Sequence, residues 1–290
     1  MELLAQGIVS GILVGGLYAL MSIGISLSWG ALKIINLAHF TFVLFSAYIV
    51  YQLTVSFEID PLLMTLVVVP LFFLVGVLIQ MFFHLAKVDE FKSLIVTFGL
   101  FIIFQSLMQT IWSADFRRIG PTLNSYETES FVIGGIYFQL PQLAAFVVAL
   151  LIAGGMWVVF TRTYFGKAVR AVAQDPAMAR AFGIDSRRVA VLLSGLATAF
   201  SALAGVFVAI GQSLFPELAV GWFGIIFPIV ILGGLGNSLG TLVAGVIIGV
   251  AAGISSSLWG PISAPLVTFL ILIVALLFRP EGLITKRSIA

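Results

Sequence analysis

The chain has no cysteine and only two histidines in 290 residues. Disulfides, iron–sulfur clusters and thiolate metal sites are therefore excluded, and His39 and His84, about 45 residues apart, leave little for a metal centre, so none is expected. Charge is scarce as well. Only 9% of residues are charged, and no long apolar run carries Asp, Glu, Lys or Arg at its centre. Intramembrane carboxylates and bases equip ion-coupled carriers, and an intramembrane enzyme needs a catalytic pair, so both classes are disfavoured and no catalytic residue is assigned. A nucleotide-binding GxxxxGK[ST] loop is absent too. The run GGLGNSLG (233–240) is glycine-rich but lacks the lysine that would reach a phosphate, so ATP, if used, is bound by another subunit. A net charge of +2 is too small to point to nucleic acid.

What the chain does have is apolar length. Hydrophobic residues make up 61% and mean hydropathy is +1.20, outside the range of soluble domains. Apolar runs recur at 4–29, 35–54, 62–85, 93–112, 138–160, 189–212, 220–235, 239–258 and 262–279. They lack the alternation of a membrane barrel, so the expected fold is all-α: a polytopic transmembrane helical bundle filling 1–290 as a single domain. About nine spans are expected, in a range of eight to ten, because 220–235 is short and 35–54 is rich in polar residues. The N-terminal MELLAQG has no basic region before its first apolar run, so it reads as the start of a retained span.

Basic residues set the orientation. With the loop 161–188 in the cytoplasm, nine spans put Lys33, Lys87, Lys92, Arg162, Lys167, Arg170, Arg180, Arg187, Arg188, Arg279, Lys286 and Arg287 inside. Arg117 and Arg118 remain in an external loop, 113–137, beside Asp115, Glu127 and Glu129. The N-terminus is then outside and the C-terminus cytoplasmic.

The basic loop contains QDPAMARAFGID (174–185), which reads as a short helix over 176–182. Asp175 suits the N-cap, Pro176 the first turn and Gly183 the residue after the last turn. Such a helix could insert Ala177, Met178, Ala181 and Phe182 into a groove on a soluble partner, or lie on lipid headgroups anchored by its arginines. Physics alone leaves these two readings even.

The residues around it carry a resemblance. GKAVRAVAQDPAMARAFGID (166–185) resembles the cytoplasmic coupling loop of permease subunits in ABC importers of the branched-chain amino acid (leucine/isoleucine/valine) family, with Gly166, Ala168, Arg170, Ala171, Asp175, Ala179, Gly183 and Ile184 at matching spacing. GILVGGLYALMSIGISLSWGALKIINLAH (11–39), VILGGLGNSLGTLVAGVIIGV (230–250) and RPEGL (279–283) are similar to further blocks of that family, in the same order. The pattern departs where Leu37 stands in place of phenylalanine and Phe40 follows His39, and where Ile284 and Thr285 follow RPEGL. The resemblance implies a permease for branched-chain amino acids or a related small polar or amphipathic solute, in a bacterial or archaeal cytoplasmic (inner) membrane. It implies as partners a second homologous permease (a heterodimer, or two copies of this chain), two cytoplasmic ATP-binding subunits that hold ATP and magnesium, and a periplasmic or lipoprotein solute-binding protein. No cofactor is expected on this chain itself. Coupling to the ATPase would fall to Arg170, Asp175, Pro176, Ala177, Met178, Ala179, Arg180, Phe182 and Gly183. Arg170 or Arg180 could meet an acidic rim on the ATPase, or simply form a solvated basic face. The alternative is a self-contained carrier or channel for a solute such as urea or an amide.

Asn36, His39 and Asn237 sit within apolar surroundings and could line the translocation pathway or act as interhelical glue. Glycines 11 and 15, 236 and 240, and 245 and 249 repeat at four-residue spacing, which suits close helix packing. Gln105, Gln109, Gln139 and Gln142 flank the external loop, which could receive the binding protein or be an ordinary solvated loop.

Overall fold

The computed structural model describes residues 2–127 and 129–278. The RPEGL block, Arg279, Lys286 and Arg287 lie outside the described residues, as does Met1. Every apolar run of the sequence contains a helix: α1 (Glu2–Leu32), α2 (His39–Phe57), α3 (Thr65–Leu85), α4 (Glu90–Trp112), α5 (Leu140–Arg162), α8 (Ser186–Gly211), α9 (Leu218–Gly233), α10 (Ser238–Trp259) and α11 (Ser263–Phe278). The basic loop holds two more, α6 (Tyr164–Gln174) and α7 (Pro176–Ala181). Seven helices, α1 to α5, α8 and α10, are long and apolar enough to cross a membrane. Helices α9 and α11 are apolar but have only 16 residues each. At 1.5 Å per residue they span about 24 Å, short of a hydrocarbon core of about 30 Å.

The fold departs from the all-α expectation in one place. Strands β1 (Ser130–Ile133) and β2 (Ile136–Gln139) form an antiparallel hairpin before α5. Its two-residue turn is Gly134–Gly135, both at positive φ (61° and 83°), the geometry that the right-handed twist of paired strands favours and that glycine adopts freely. Because FVIGGIYF is apolar on both sides of the turn, a hydropathy reading merges its end with the next helix, and the fifth run begins at 138 instead of 140. The glycine pair was the available signal.

Two kinds of helix contact build the bundle. Helices α1 and α10 meet along glycine: a Cβ on Gly11 would lie 2.6 Å from the carbonyl oxygen of Gly249, and one on Gly15 would lie 2.6 Å from that of Gly245. The backbones touch, as small residues allow when lipid offers no hydrophobic drive for association. Helices α2, α3 and α8 instead exchange hydroxyl bonds across small residues. Ser194 on α8 donates to the carbonyl of Gly76 on α3 (3.0 Å), and Ser46 on α2 donates to Val43 of its own helix (2.7 Å) while facing Gly205 of α8. The buried polar side chains among the described residues are Ser, Thr, Asn, Gln and His; none is Asp, Glu, Lys or Arg. That matches a core whose alternative solvent is hydrocarbon.

Candidate functional site

Helices α6 and α7 stand at one end of the bundle, and each end of α7 is closed by its own chain. Asp175 Oδ1 accepts from the amides of Ala177 (2.8 Å) and Met178 (3.0 Å). Those bonds, the Met178 one foremost, hold the exposed Asp175 carboxyl below its ordinary value of 3.8. At the other end Ile184 N–H donates to Ala179 (3.0 Å) and Gly183 N–H to Arg180 (2.9 Å), the paired bonds of a Schellman motif, with Gly183 at φ +82°. The helix is one residue shorter than the 176–182 read from the sequence, and Phe182 is its C-cap.

Self-capping frees the helix to show its apolar side outward. Ala179 is buried against the bundle, whereas Met178 and Phe182 are 57% and 80% exposed. They border a groove of about 590 Å³ shared with Tyr164, Lys167 and Ala171 of α6. Pro176, Ala177 and Ala181 are also exposed. On its other side α7 meets a second hollow of about 430 Å³, where Pro176 and Arg180 face Lys33, Gln80, His84 and Asp89 from the ends of α1, α3 and α4. The two arginines separate in role: Arg180 is exposed, while Arg170 turns inward and donates to the carbonyl of Phe160 in the last turn of α5. A cation there satisfies a carbonyl that the helix leaves free.

The three pathway candidates behave differently from one another. His39 is buried, and its Nε2 donates to the Met21 carbonyl (2.9 Å), which fixes the proton on that nitrogen. Its ring fills a notch at Gly24, where a Cβ would strike the ring and come within 2.6 Å of the Ala197 carbonyl. Asn237 caps α10 by accepting from Gly240 N–H (3.0 Å). Its turn is held to α1 by Ser26, whose hydroxyl and carbonyl oxygens each accept from Gly236 N–H at 3.0 Å. His39 thus ties α2 to α1, while Asn237 closes the start of its own helix. Asn36 differs: its Oδ1 is buried and accepts no hydrogen bond from the described residues. It lies in the irregular stretch between α1 and α2, which Thr97 of α4 clasps by accepting from Leu37 N–H (3.1 Å), its own hydroxyl lying between the Ser93 carbonyl of α4 (2.7 Å) and the Ile35 carbonyl (3.1 Å). The roles of Thr97 and Ser26 were not visible in the sequence, since a lone hydroxyl in an apolar run carries no pattern of its own.

At the opposite end, where the hairpin lies, Gln6 of α1 bonds both the amide (2.8 Å) and the carbonyl (3.0 Å) of Tyr137. Gln109 donates to Glu217 (3.0 Å), and Gln142 to Gln139 (2.6 Å). Asp115 accepts from Ser113 (2.6 Å), and Arg117 donates to the Trp112 carbonyl (3.0 Å). This loop is therefore well tied to the helix ends. Among the described residues no group of three or more His, Asp or Glu side chains is placed to hold a metal ion.

A family model described as the branched-chain amino acid transport system permease component matches residues 7–278. The high-affinity branched-chain amino acid transport system permease protein BraD of Pseudomonas aeruginosa is 27% identical, covering 98% of this chain and 96% of its own. A probable branched-chain amino acid transport permease protein, LivH, of Methanocaldococcus jannaschii is 25% identical over 80% of this chain and 75% of its own. LivH of Escherichia coli K12, named a high-affinity permease of the same kind, is 24% identical over 98% and 96%. No solved structure matches the chain.

Proposed function

The chain belongs to the family of branched-chain amino acid transport permease components, and from that membership we propose that it is the membrane-spanning subunit of an ATP-driven importer. Its solute is a branched-chain amino acid or a related small amphipathic molecule. It binds no nucleotide itself; ATP and magnesium are held by two cytoplasmic subunits that dock on α7. A second permease completes the pathway, and a solute-binding protein delivers cargo at the hairpin end. The α6–α7 end faces the cytoplasm, as the positive-inside rule favours for Arg162, Lys167, Arg170, Arg180, Arg187 and Arg188, and the membrane is that of a bacterium or archaeon.

The observation that carries this reading is the form of α7: a two-turn helix capped at both ends by its own residues, with Met178 and Phe182 held out over a groove. A helix that only needed to rest on lipid would require no such closure at Gly183. Mechanically, α7 is a lever with a short reach. It shares a hollow with Lys33 and Ile34 at the end of α1. The next residues, Ile35 and Leu37, hold Thr97 of α4. When the ATPase subunits close and shift α7, the displacement passes through this stretch and tilts α4 against the α1–α10 seam, switching the path between its two openings.

The test is co-purification with the ATPase subunits in nanodiscs, comparing the wild type with the double change Arg180→Glu and Met178→Asp. The wild type retains the ATPase, and the variant loses it while its melting temperature stays unchanged. If the variant holds the ATPase as well as the wild type does, α7 is a lipid anchor, and a self-contained carrier or channel becomes the better account.

A further inference from the structure

The exposed residues of α3, of α11 and of α5 from Val147 to Val158 are all apolar, as lipid contact requires. One face of the molecule is different. Along α4, Phe98, Ile102, Gln105 and Gln109 fall at i, i+4, i+7 and i+11, a single helical stripe. Ser106, Gln109 and Thr110 are exposed and Gln105 is half-buried. Gln105 and Ser106 lie about 10 Å inside the hairpin end of α4 at 1.5 Å per residue, within the hydrocarbon depth. A primary amide facing lipid there without a partner would cost several kcal/mol. Hydrocarbon therefore does not suit Gln105 and Ser106, which interrupt an otherwise apolar exposed surface of Ile95, Ile102, Ile103, Leu107 and Ile111.

Contacts to α9 extend the same face. Gln109 donates to Glu217 at the start of α9 (3.0 Å). Further along, the ring of Phe98 lies parallel to that of Phe101 (6.2 Å, 2°), Phe101 meets Phe223 edge-on (5.3 Å, 65°), and Phe223 stacks on Phe227 (5.9 Å, 22°). Phe223 and Phe227 are only half-buried, and Val220 beside them is exposed. A band of amides and one carboxylate at the hairpin end thus leads into a band of aromatic rings toward the α7 end, with Phe98 exposed, Phe223 and Phe227 half-buried and Phe101 buried behind them.

We propose that this α4–α9 face is one wall of the solute path, closed on its far side by a second permease chain. The inference rests on the importer reading above and adds to it the surface the solute touches. Glu217 and the glutamine amides suit an ammonium group arriving at the mouth, and the rings of Phe98, Phe223 and Phe227 suit an aliphatic side chain passing beyond it. A second chain accounts for the rest of the face, because it supplies partners to Gln105 and Ser106 that hydrocarbon cannot.

The absence of cysteine makes the test direct. Single cysteines replace Gln105, Val220 and Phe227 on the face, and Leu74 (α3) and Leu270 (α11) as lipid-facing controls, in the complete complex reconstituted in nanodiscs. The probe is a membrane-impermeant trimethylammonium methanethiosulfonate. Labelling of the three face positions several-fold faster than of the controls, with a short bifunctional thiol reagent joining Gln105→Cys to the second permease, supports the wall. Labelling no faster than at Leu74→Cys and Leu270→Cys overturns it, as does quenching of a Phe227→Trp variant by brominated lipid. Retention of the ATPase by the same preparations separates the outcomes: if it is retained while labelling fails, only the wall falls, and if it is absent from the wild type, the importer reading falls first.

Discussion

The α1–α10 seam and the α4–α9 face are built from the same apolar composition and do opposite things. In the seam, glycines at 11, 15, 245 and 249 bring two backbones into contact. On the face, α4 rests mainly on the α1–α2 stretch and α2, and turns outward aliphatic side chains interrupted by Phe98, Ser106, Gln109 and Thr110. A seam closed by backbone has no slack, because interiors at crystal-like density are bistable and do not deform smoothly. A helix held by a few side-chain bonds, Thr97 at one end and Gln109 and Trp112 at the other, and by an aromatic band can tilt. The difference teaches which part of the bundle is frame and which part moves.

The largest effect is expected where the frame is touched. A Cβ on Gly249 would lie 2.5 Å from Gly15 Cα and 2.8 Å from its nitrogen, with no flexible side chain to give way. Gly249→Leu should cost at least about 1–3 kcal/mol from overpacking and lower the melting temperature in nanodiscs by several degrees. The same measurement on Val220→Leu, on the exposed face, should show no change. Equal melting temperatures for the two would dissolve the contrast.

Next in size is the lever. Gly183 sits at φ +82°, where a β-branched side chain is strained by about 1–2 kcal/mol. Gly183→Val should unfasten the C-terminal closure of α7 and weaken ATPase association roughly tenfold, in proportion to 1.4 kcal/mol, while the seam and the melting temperature are untouched. A pull-down titration against ATPase concentration reads this. A fall in melting temperature instead would make α7 part of the frame.

Much of this was legible in the residues. Asp175, Pro176 and Gly183 announced a helix and both its ends, because capping is local chemistry and leaves a local signature. The nine apolar runs announced nine helices for the same reason. Asn36, His39 and Asn237 looked alike in the sequence yet proved unlike, since only the packing decides whether a polar atom finds a partner: His39 finds Met21, Asn237 finds Gly240, and Asn36 Oδ1 finds none among the described residues. The face itself was hidden. In the sequence Gln105 and Gln109 only flank a loop, and their stripe acquires meaning once α9 stands beside it.

A smaller effect follows from pH. Bonds from Met178 and Ala177 N–H depress the Asp175 carboxyl below 3.8 in the folded loop. A depressed carboxyl contributes stability that is complete above its unfolded value, about 3.9, and is lost as pH falls through the folded one. The cap is therefore indifferent to pH from neutrality down to about 4 by that sign. The ¹³C resonance of the Asp175 carboxyl should titrate with a midpoint under 3.8, while in Gly183→Val, where the last turn is loosened, it should move back toward 3.8. An unshifted midpoint in the wild type would mean that the N-terminal closure is not formed in solution.

The finest discrimination between frame, lipid side and path comes from two glycines with identical local space. A Cβ on Gly99 of α4 or on Gly155 of α5 would meet nothing within 4 Å. Neither change to leucine should strain the chain, and replacing a helical glycine should leave the melting temperature equal or slightly higher, by up to about 1 kcal/mol of propensity. Gly155 lies among Leu151, Trp157 and Val158, on a side whose exposed residues are all apolar, so Gly155→Leu should transport at the wild-type rate. Gly99 lies one residue beyond Phe98 and two turns from Ser106, on the helix that borders the aromatic band. There a leucine would meet the second permease or narrow the path, and uptake into proteoliposomes should fall at constant melting temperature. Equal uptake by both variants would place α4 against lipid and return the solute path to the interior of the bundle, where, among the described residues, Asn36, Tyr48, Thr54 and Asn124 each hold a buried oxygen without a hydrogen bond.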